Sequence, residues 1–313
     1  MDKLAVIAIG GNSLIEDSRH VTVASQFQAA VHTVTNIVDM MEEGWNVVIA
    51  HGNGPQVGYI LFRSEYSSRL VHTVPLDSCV ADTQGSIGYQ LQKAFYNEFV
   101  KRGIKKNVAT IVTQVRVDDS DPSFKDPAKP IGSFMTKEDA QRHARENGWD
   151  VKEDPGRGWR RVVASPAPKE IIELETIKQL ISLGTVVIAA GGGGIPVARM
   201  PQGNLWGREA VVDKDLAAAI LAKQLKADAF IISTAVEKVC LDYAKPAERK
   251  LDKMTVAEAQ AYASQGQFPK GSMLPKVQAL CDYVETVGGL GIITDPFHLK
   301  EAIRGEGGTR IVR

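Results

Sequence analysis

Short apolar runs alternate along this chain with stretches of helical periodicity, and that alternation admits few architectures. Residues 4–9 read as a first strand. Phe27, Ala30, Val31, Val34, Ile37, Val38 and Met41 then recur at three- and four-residue spacing, the stripe of an amphipathic helix, and Gly44 is placed to close it in a left-handed conformation. Residues 46–50 predict a second buried strand, and further strands are expected at 108–117, 185–190, 229–234 and 291–294. Helices are expected over 170–183, 214–225, 255–264 and 275–286. The fold class is therefore α/β, a mostly parallel central sheet with helices on both faces. A length of 313 residues, 44% of them hydrophobic, supplies core enough for one large domain or two small ones.

One stretch breaks the rhythm. Residues 118–168 are rich in Pro, Gly and charge, too long for a simple connection. Phe124, Ile131, Phe134, Trp149 and Trp159 give this stretch packing material, so it is read as an ordered lobe beside the sheet rather than a linker.

Composition excludes several classes. Lys+Arg and Asp+Glu stand at 37 each, which is no footprint of a nucleic-acid binder. No apolar run reaches the ~18 residues of a membrane helix, and the opening strand is too short for a signal peptide. Cys79, Cys240 and Cys281 form no framework or zinc spacing, so each reads as a small buried hydrophobe in a reducing, cytoplasmic setting. No metal site is predicted among the side chains.

Three apolar runs end in glycine-rich turns: Gly10-Gly11-Asn12 after the first, Gly52-Asn53-Gly54 after the second, and Gly191-Gly192-Gly193-Gly194 after residues 185–190. In doubly wound sheets ligands bind beyond the carboxyl ends of the strands. Glycine lets backbone N–H groups approach an anion with no Cβ in the way, and Asn12 and Asn53 can donate from their side chains. One such turn is as easily a plain tight turn; three at strand ends favour a phosphate cradle. The chain lacks G-x-x-x-x-G-K-[ST] and any G-x-G-x-x-G after the first strand, which sets aside the P-loop and weakens a dinucleotide reading.

Phosphoryl transfer needs cations around the migrating group. Lys129 lies between Pro127 and Pro130, Lys214 between Asp213 and Asp215, and Lys276 follows Pro275 at the expected first turn of a helix. An isolated lysine is ordinarily a solvated charge, and Asp213 reads equally well as a plain helix cap. Each of these lysines, though, follows a turn or rigid segment rather than decorating a helix face.

These residues resemble a known family. The Gly-Gly-Asn turn, the HGNGPQVG block at 51–58, TQVRVDDSDPSF and KPIGSF within 113–134, GWRRVVASPAP at 158–168, GGGGIPV at 191–197, EAVVDKDLAAAILA at 209–222 and GSMLPKV at 271–277 together are similar to the carbamate kinases of the amino-acid kinase superfamily. The likeness spans nearly the whole chain. It departs at Ser13 and in the SCVADT run at 78–83, neither of which removes a charged group.

The resemblance implies a three-layer αβα sandwich, one domain over 1–313 with the subdomain 118–168 inserted in it, and a homodimer. It implies ATP or ADP with Mg²⁺ as the nucleotide, and carbamoyl phosphate or carbamate as its partner in a reversible transfer. Lys129 would reach the carbamoyl group, Lys214 and Lys276 would neutralise phosphates, and Asp215 would hold the lysines. The backbones of Gly10, Gly11, Gly52, Asn53, Gly54, Gly191 and Gly192 would cradle the anion, and the nucleoside would lie near Thr234, Ala235, Val236, Tyr243, Met273 and Pro275. The alternatives are a relative acting on another small carboxylate and a catalytically silent nucleotide sensor.

Overall fold

A computed structural model describes residues 3–10, 22–154 and 156–313. Its main sheet takes β1 (Lys3–Ile9), β2 (Trp45–His51), β3 (Val108–Thr110), β9 (Val186–Ile188), β12 (Ala229–Ser233), β15 (Lys253–Thr255), β16 (Leu290–Thr294) and β17 (Thr309–Val312). They lie in the order β15-β17-β16-β12-β1-β2-β9-β3, and every neighbouring pair is parallel except β16 with β17. β1 therefore runs between β2 and β12, with the chain winding away on both sides. The crevice beyond its carboxyl end is the topological switch point where such sheets bind ligands.

The sheet separates two apolar layers. On one face Ala5, Ile7 and Ile9 pack with α1 (Val23–Met41) and α3 (Leu76–Arg102). On the other, Val6 and Ala8 pack with α6 (Lys214–Leu225) and α8 (Met273–Val287). Alternate residues of one strand thus feed opposite faces, as the pleat requires. The predicted stripe of α1 buries Ala30, Val34, Ile37, Val38 and Met41, Thr22 caps it by accepting from the Ser25 N–H, and Gly44 takes φ +87° just beyond. The remaining helices are α2 (Gly54–Tyr66), α4 (Lys137–Asn147), α5 (Leu174–Ser182), α7 (Val256–Ser264) and α9 (Leu299–Arg304).

The expected strand 108–117 is in fact two strands in two sheets. β3 ends at Thr110, and β4 (Gln114–Arg116) joins a second sheet with β8 (Glu170–Ile171), β10 (Ile195–Arg199) and β11 (Leu205–Gly207). Between them the buried Gln84 side chain takes a strand's place, accepting from the Thr113 N–H at 2.8 Å and donating to its carbonyl at 3.1 Å. The helix expected over 170–183 begins only at Leu174, because Glu170 and Ile171 pair with β4 as β8.

Residues 118–168 carry a sheet of their own, β5 (Lys129–Met135), β7 (Gly158–Val163) and β6 (Val151–Asp154) in that order, with α4 alongside. This lobe rests on α2. A further hairpin, β13 (Val239–Leu241) with β14 (Arg249–Leu251), borders the carboxyl end of β12. No helix among the described residues is long and apolar enough to cross a membrane.

Candidate active site

Three lysines from distant parts of the chain converge on two aspartates at the head of α6. Asp213 is the N-cap, held extended at φ −72° and ψ 125°, and its Oδ1 accepts from the Asp215 N–H at 2.9 Å. Its Oδ2 accepts from Lys129 Nζ at 2.5 Å, brought across by the first residue of β5. Asp215, only 3% exposed, accepts from Lys214 Nζ at 2.6 Å through Oδ1 and from Lys276 Nζ at 2.8 Å through Oδ2. Pro275 in the first turn of α8 sets the backbone from which Lys276 reaches over.

The electrostatics follow from that geometry. Burial pushes the Asp215 carboxyl up, but Lys214 and Lys276 outweigh it and hold the group well below the usual carboxylate range. Asp213 is likewise held low against its burial, chiefly by Lys129. Burial pushes Lys214 down, Asp215 opposes that shift, and Lys276 adds to it. Three ammonium groups face two carboxylates at a helix N-terminus, whose dipole is itself positive. The remaining positive charge defines an anion site.

A cavity of about 390 Å³ opens beside the cluster. Lys214, Lys276 and Gly10 line it together with Thr234, Ala235, Val236, Tyr243 and Met273, all of them expected there. Pro275 is not in its lining, because the side chains facing the cavity at this end of α8 are those of Met273 and Lys276. Gly271 and Ser272 of the GSMLPKV block line it as well, together with Lys238, Cys240 and Pro269, which had no such signal in the sequence. Cys240 is half-buried there rather than buried, unlike Cys79 and Cys281.

The glycine turns meet at this crevice but not simply as donors. The Gly10 N–H is used on the Ser233 carbonyl and the Gly52 N–H on the Ile9 carbonyl, which tie the ends of β1, β2 and β12 together. Those two backbone donors are thus already engaged, contrary to the sequence expectation. Gly11 and Asn12 lie outside the described residues. Asn53, expected to donate to phosphate, is 3% exposed and turns its amide inward to Thr83 Oγ1 at 2.9 Å. Gly54 opens α2, where no side chain caps the helix.

Gly191 and Gly192 are glycine for reasons inside the protein: a Cβ at Gly191 would stand 2.3 Å from His51 Nε2, and one at Gly192 2.2 Å from Asn53 Nδ2. Gly193 abuts the Val212 carbonyl in the same way, which presses this turn against the head of α6.

His51 is fully buried, its Nδ1 3.0 Å from the Gly52 carbonyl, and burial lowers its pKa to about 4. It is neutral and held at the strand end. Burial raises the Cys79 thiol to about 11, which rules out a ready nucleophile. Arg161 is bound to Glu65 at 2.6 Å, while Arg160 donates to the Gly132 carbonyl at 2.8 Å and lies over the Phe134 ring. Both arginines therefore hold the lobe.

The sequence model of the amino acid kinase family matches residues 3–293. The chain belongs to that family. A carbamate kinase of Clostridium perfringens is 46% identical to this amino acid kinase over 312 residues, 98% of this chain and 99% of the relative. A carbamate kinase-like protein of Escherichia coli, YahI, is also 46% identical, over the full length of both. Among solved structures, a carbamate kinase from Giardia lamblia bound to AMP-PNP superposes with a TM-score of 0.92 at 39% identity, covering 99% of this chain and 98% of that one. At such coverage the likeness extends through the lobe as well as the sheet.

Proposed function

We propose that this chain is a carbamate kinase, a phosphotransferase that passes a phosphoryl group between carbamoyl phosphate and ADP. The observation that carries the reading is the convergence of Lys129, Lys214 and Lys276 on Asp213 and Asp215 beside a cavity of about 390 Å³. A terminal phosphate oxygen of ADP attacks the phosphorus of carbamoyl phosphate. The bond from phosphorus to the carbamate oxygen breaks, and its electron pair leaves on carbamate, which after release takes a proton from water and decomposes to ammonia and carbon dioxide. In reverse, carbamate attacks the γ-phosphorus of ATP as an anion already competent as a nucleophile. No general base is needed in either direction, which suits a site whose two carboxylates are held by lysines and whose histidine is neutral and fully buried.

Lys214 and Lys276 line the nucleotide cavity and would hold the transferring phosphoryl group and the nucleotide phosphates. Lys129 comes from the lobe side and would hold the carbamoyl end. Asp213 and Asp215 set the three ammonium groups in place and are positioning residues. Magnesium would arrive on the nucleotide, as part of the substrate. Among the described residues no cluster of three metal-binding side chains exists, and the two carboxylates here are each bound by lysine, so the metal's ligands would be phosphate oxygens and water.

The same reading makes the chain one domain with the segment 118–168 inserted, acting in the cytoplasm. It also makes it a homodimer. The outward face of α3 carries Tyr89, Tyr96 and Val100, each more than 60% exposed, and a second copy would cover them.

A second reading, a paralogue with another small carboxylate as substrate, is favoured by the equal identity to YahI. ATP formation from ADP and carbamoyl phosphate, assayed beside acetylglutamate phosphorylation with ATP, separates the two. Activity only in the second assay would refute our reading, and tight nucleotide binding with turnover in neither would point to a sensor.

A further inference from the structure

The lobe delivers Lys129, so whatever fixes the lobe fixes that lysine. Besides its ion pairs, the lobe meets the body backbone on backbone. A Cβ built on Gly58, in the middle of α2, would stand 2.1 Å from Gly132 Cα and 2.4 Å from its nitrogen. Nothing flexible is available to yield at that contact. Gly132 lies on β5 three residues beyond Lys129 and has φ +69°. At the penultimate position of α2, two turns beyond Gly58, Glu65 accepts at Oε1 from Arg161 of β7 at 2.6 Å and from the indole N–H of Trp149 at 3.1 Å. The Arg161 guanidinium lies over the Trp149 ring at 4.7 Å.

We infer that the Gly58–Gly132 contact is the seat that positions Lys129, with the Glu65 bracket clamping the lobe onto it, so that Gly58 is a positioning residue for the transfer although it touches no reacting atom. The inference rests on the role given to Lys129 above. It also accounts for two glycines in the HGNGPQVG and KPIG blocks that the anion cradle does not use. The seat is specific to glycine on the α2 side. Alanine suits a helix interior better than glycine does, so Gly58→Ala should leave α2 intact. The added methyl can be accommodated only if β5 moves away, and Lys129 would go with it. Displacement by about an ångström at a positioned group is enough to cost on the order of 10²-fold in rate.

The experiment is a double-mutant cycle on the full chain with carbamoyl phosphate and ADP. Gly58→Ala should lower kcat/KM for carbamoyl phosphate at least tenfold and change the ADP dissociation constant less than twofold. Because the seat acts through Lys129, Gly58→Ala/Lys129→Ala should be no slower than Lys129→Ala alone. Costs that multiply, or full activity in Gly58→Ala, would overturn the inference. If Gly58→Ala does not fold, as circular dichroism would report, the same cycle is run with Arg161→Gln, which releases the bracket without adding bulk, and it is decided by the same non-additivity. Should Lys129→Ala itself be fully active, the functional reading fails rather than the seat. The seat is then tested by the lobe's amide exchange, which Gly58→Ala should accelerate in residues 129–135, unchanged exchange refuting it.

Discussion

Replacing Asp215 with asparagine removes the one negative charge shared by Lys214 and Lys276 while keeping the shape of the side chain. The two bonds lost or weakened are 2.6 and 2.8 Å long, and the carboxylate is 3% exposed, so water cannot take its place. Removing one partner of a buried ion pair costs about 3–5 kcal/mol, because the other charge is left uncompensated. With an unfolding entropy of roughly 2.1 cal/mol/K per residue, the 313-residue chain should lose about 5–8 °C of melting temperature. The pH dependence has a definite sign. A carboxyl held below its unfolded value stabilises the fold above that value and ceases to do so as pH falls through the folded one. The deficit of the variant should therefore be full at pH 6–8 and shrink in acid, below the ordinary carboxylate range. Nucleotide should then repair it in part: phosphates supply the missing negative charge, so saturating ADP should raise the melting temperature of Asp215→Asn more than that of the unaltered protein. Differential scanning fluorimetry with and without ADP measures both. A variant as stable as the parent, or one that nucleotide stabilises less, would refute the view that this carboxylate balances two ammonium groups awaiting phosphate.

Lys129→Ala should cut turnover roughly 10²–10³-fold, the loss typical of one preorganised donor, with ADP affinity by calorimetry nearly unchanged. Lys276→Ala should weaken ADP binding as well as turnover, because Lys276 lines the nucleotide cavity. Since burial and Lys276 lower the Lys214 pKa, the alkaline limb of kcat/KM should fall below the ordinary lysine range; Lys214→Arg, which stays charged, should be slower overall and lack that limb. Gly192→Ala, with a methyl meeting the Asn53 amide at a position of φ +67°, should lower the melting temperature and the activity together.

What could be read in the sequence depended on where polar residues were buried. α6 was legible from end to end, because Asp213 caps it and its alanine run has no competing pattern. α1 was equally plain, its apolar stripe being uninterrupted. α3, the longest helix described, had no such signal: Thr83, Gln84, Gln90 and Glu98 are buried on the face that should look apolar. Gln84 is there to bracket Thr113, and Thr83 to hold Asn53, so the polar groups that organise the site are the ones that conceal the helix. α2 is hidden for a related reason: it starts inside the glycine turn, whose residues announce a turn rather than a helix.

The site shows the same division between what a residue type can announce and what only tertiary contact reveals. Lysines beside prolines and aspartates stood out, and the fold gathers all three. Asp213 looked like a cap and is one, yet its second oxygen receives Lys129 from the lobe, a pairing between residues 84 positions apart that no local pattern encodes. The glycine run was ambiguous in the opposite sense. Its glycines are required where the turn is pressed against His51, Asn53 and Val212, so the absence of a Cβ there is already explained before any phosphate arrives. Glycine at a strand end therefore argues for a close approach, and only the atoms found opposite it decide whether the neighbour is ligand or protein. At this crevice the charge of the lysines, not the glycine count, is what identifies an anion site.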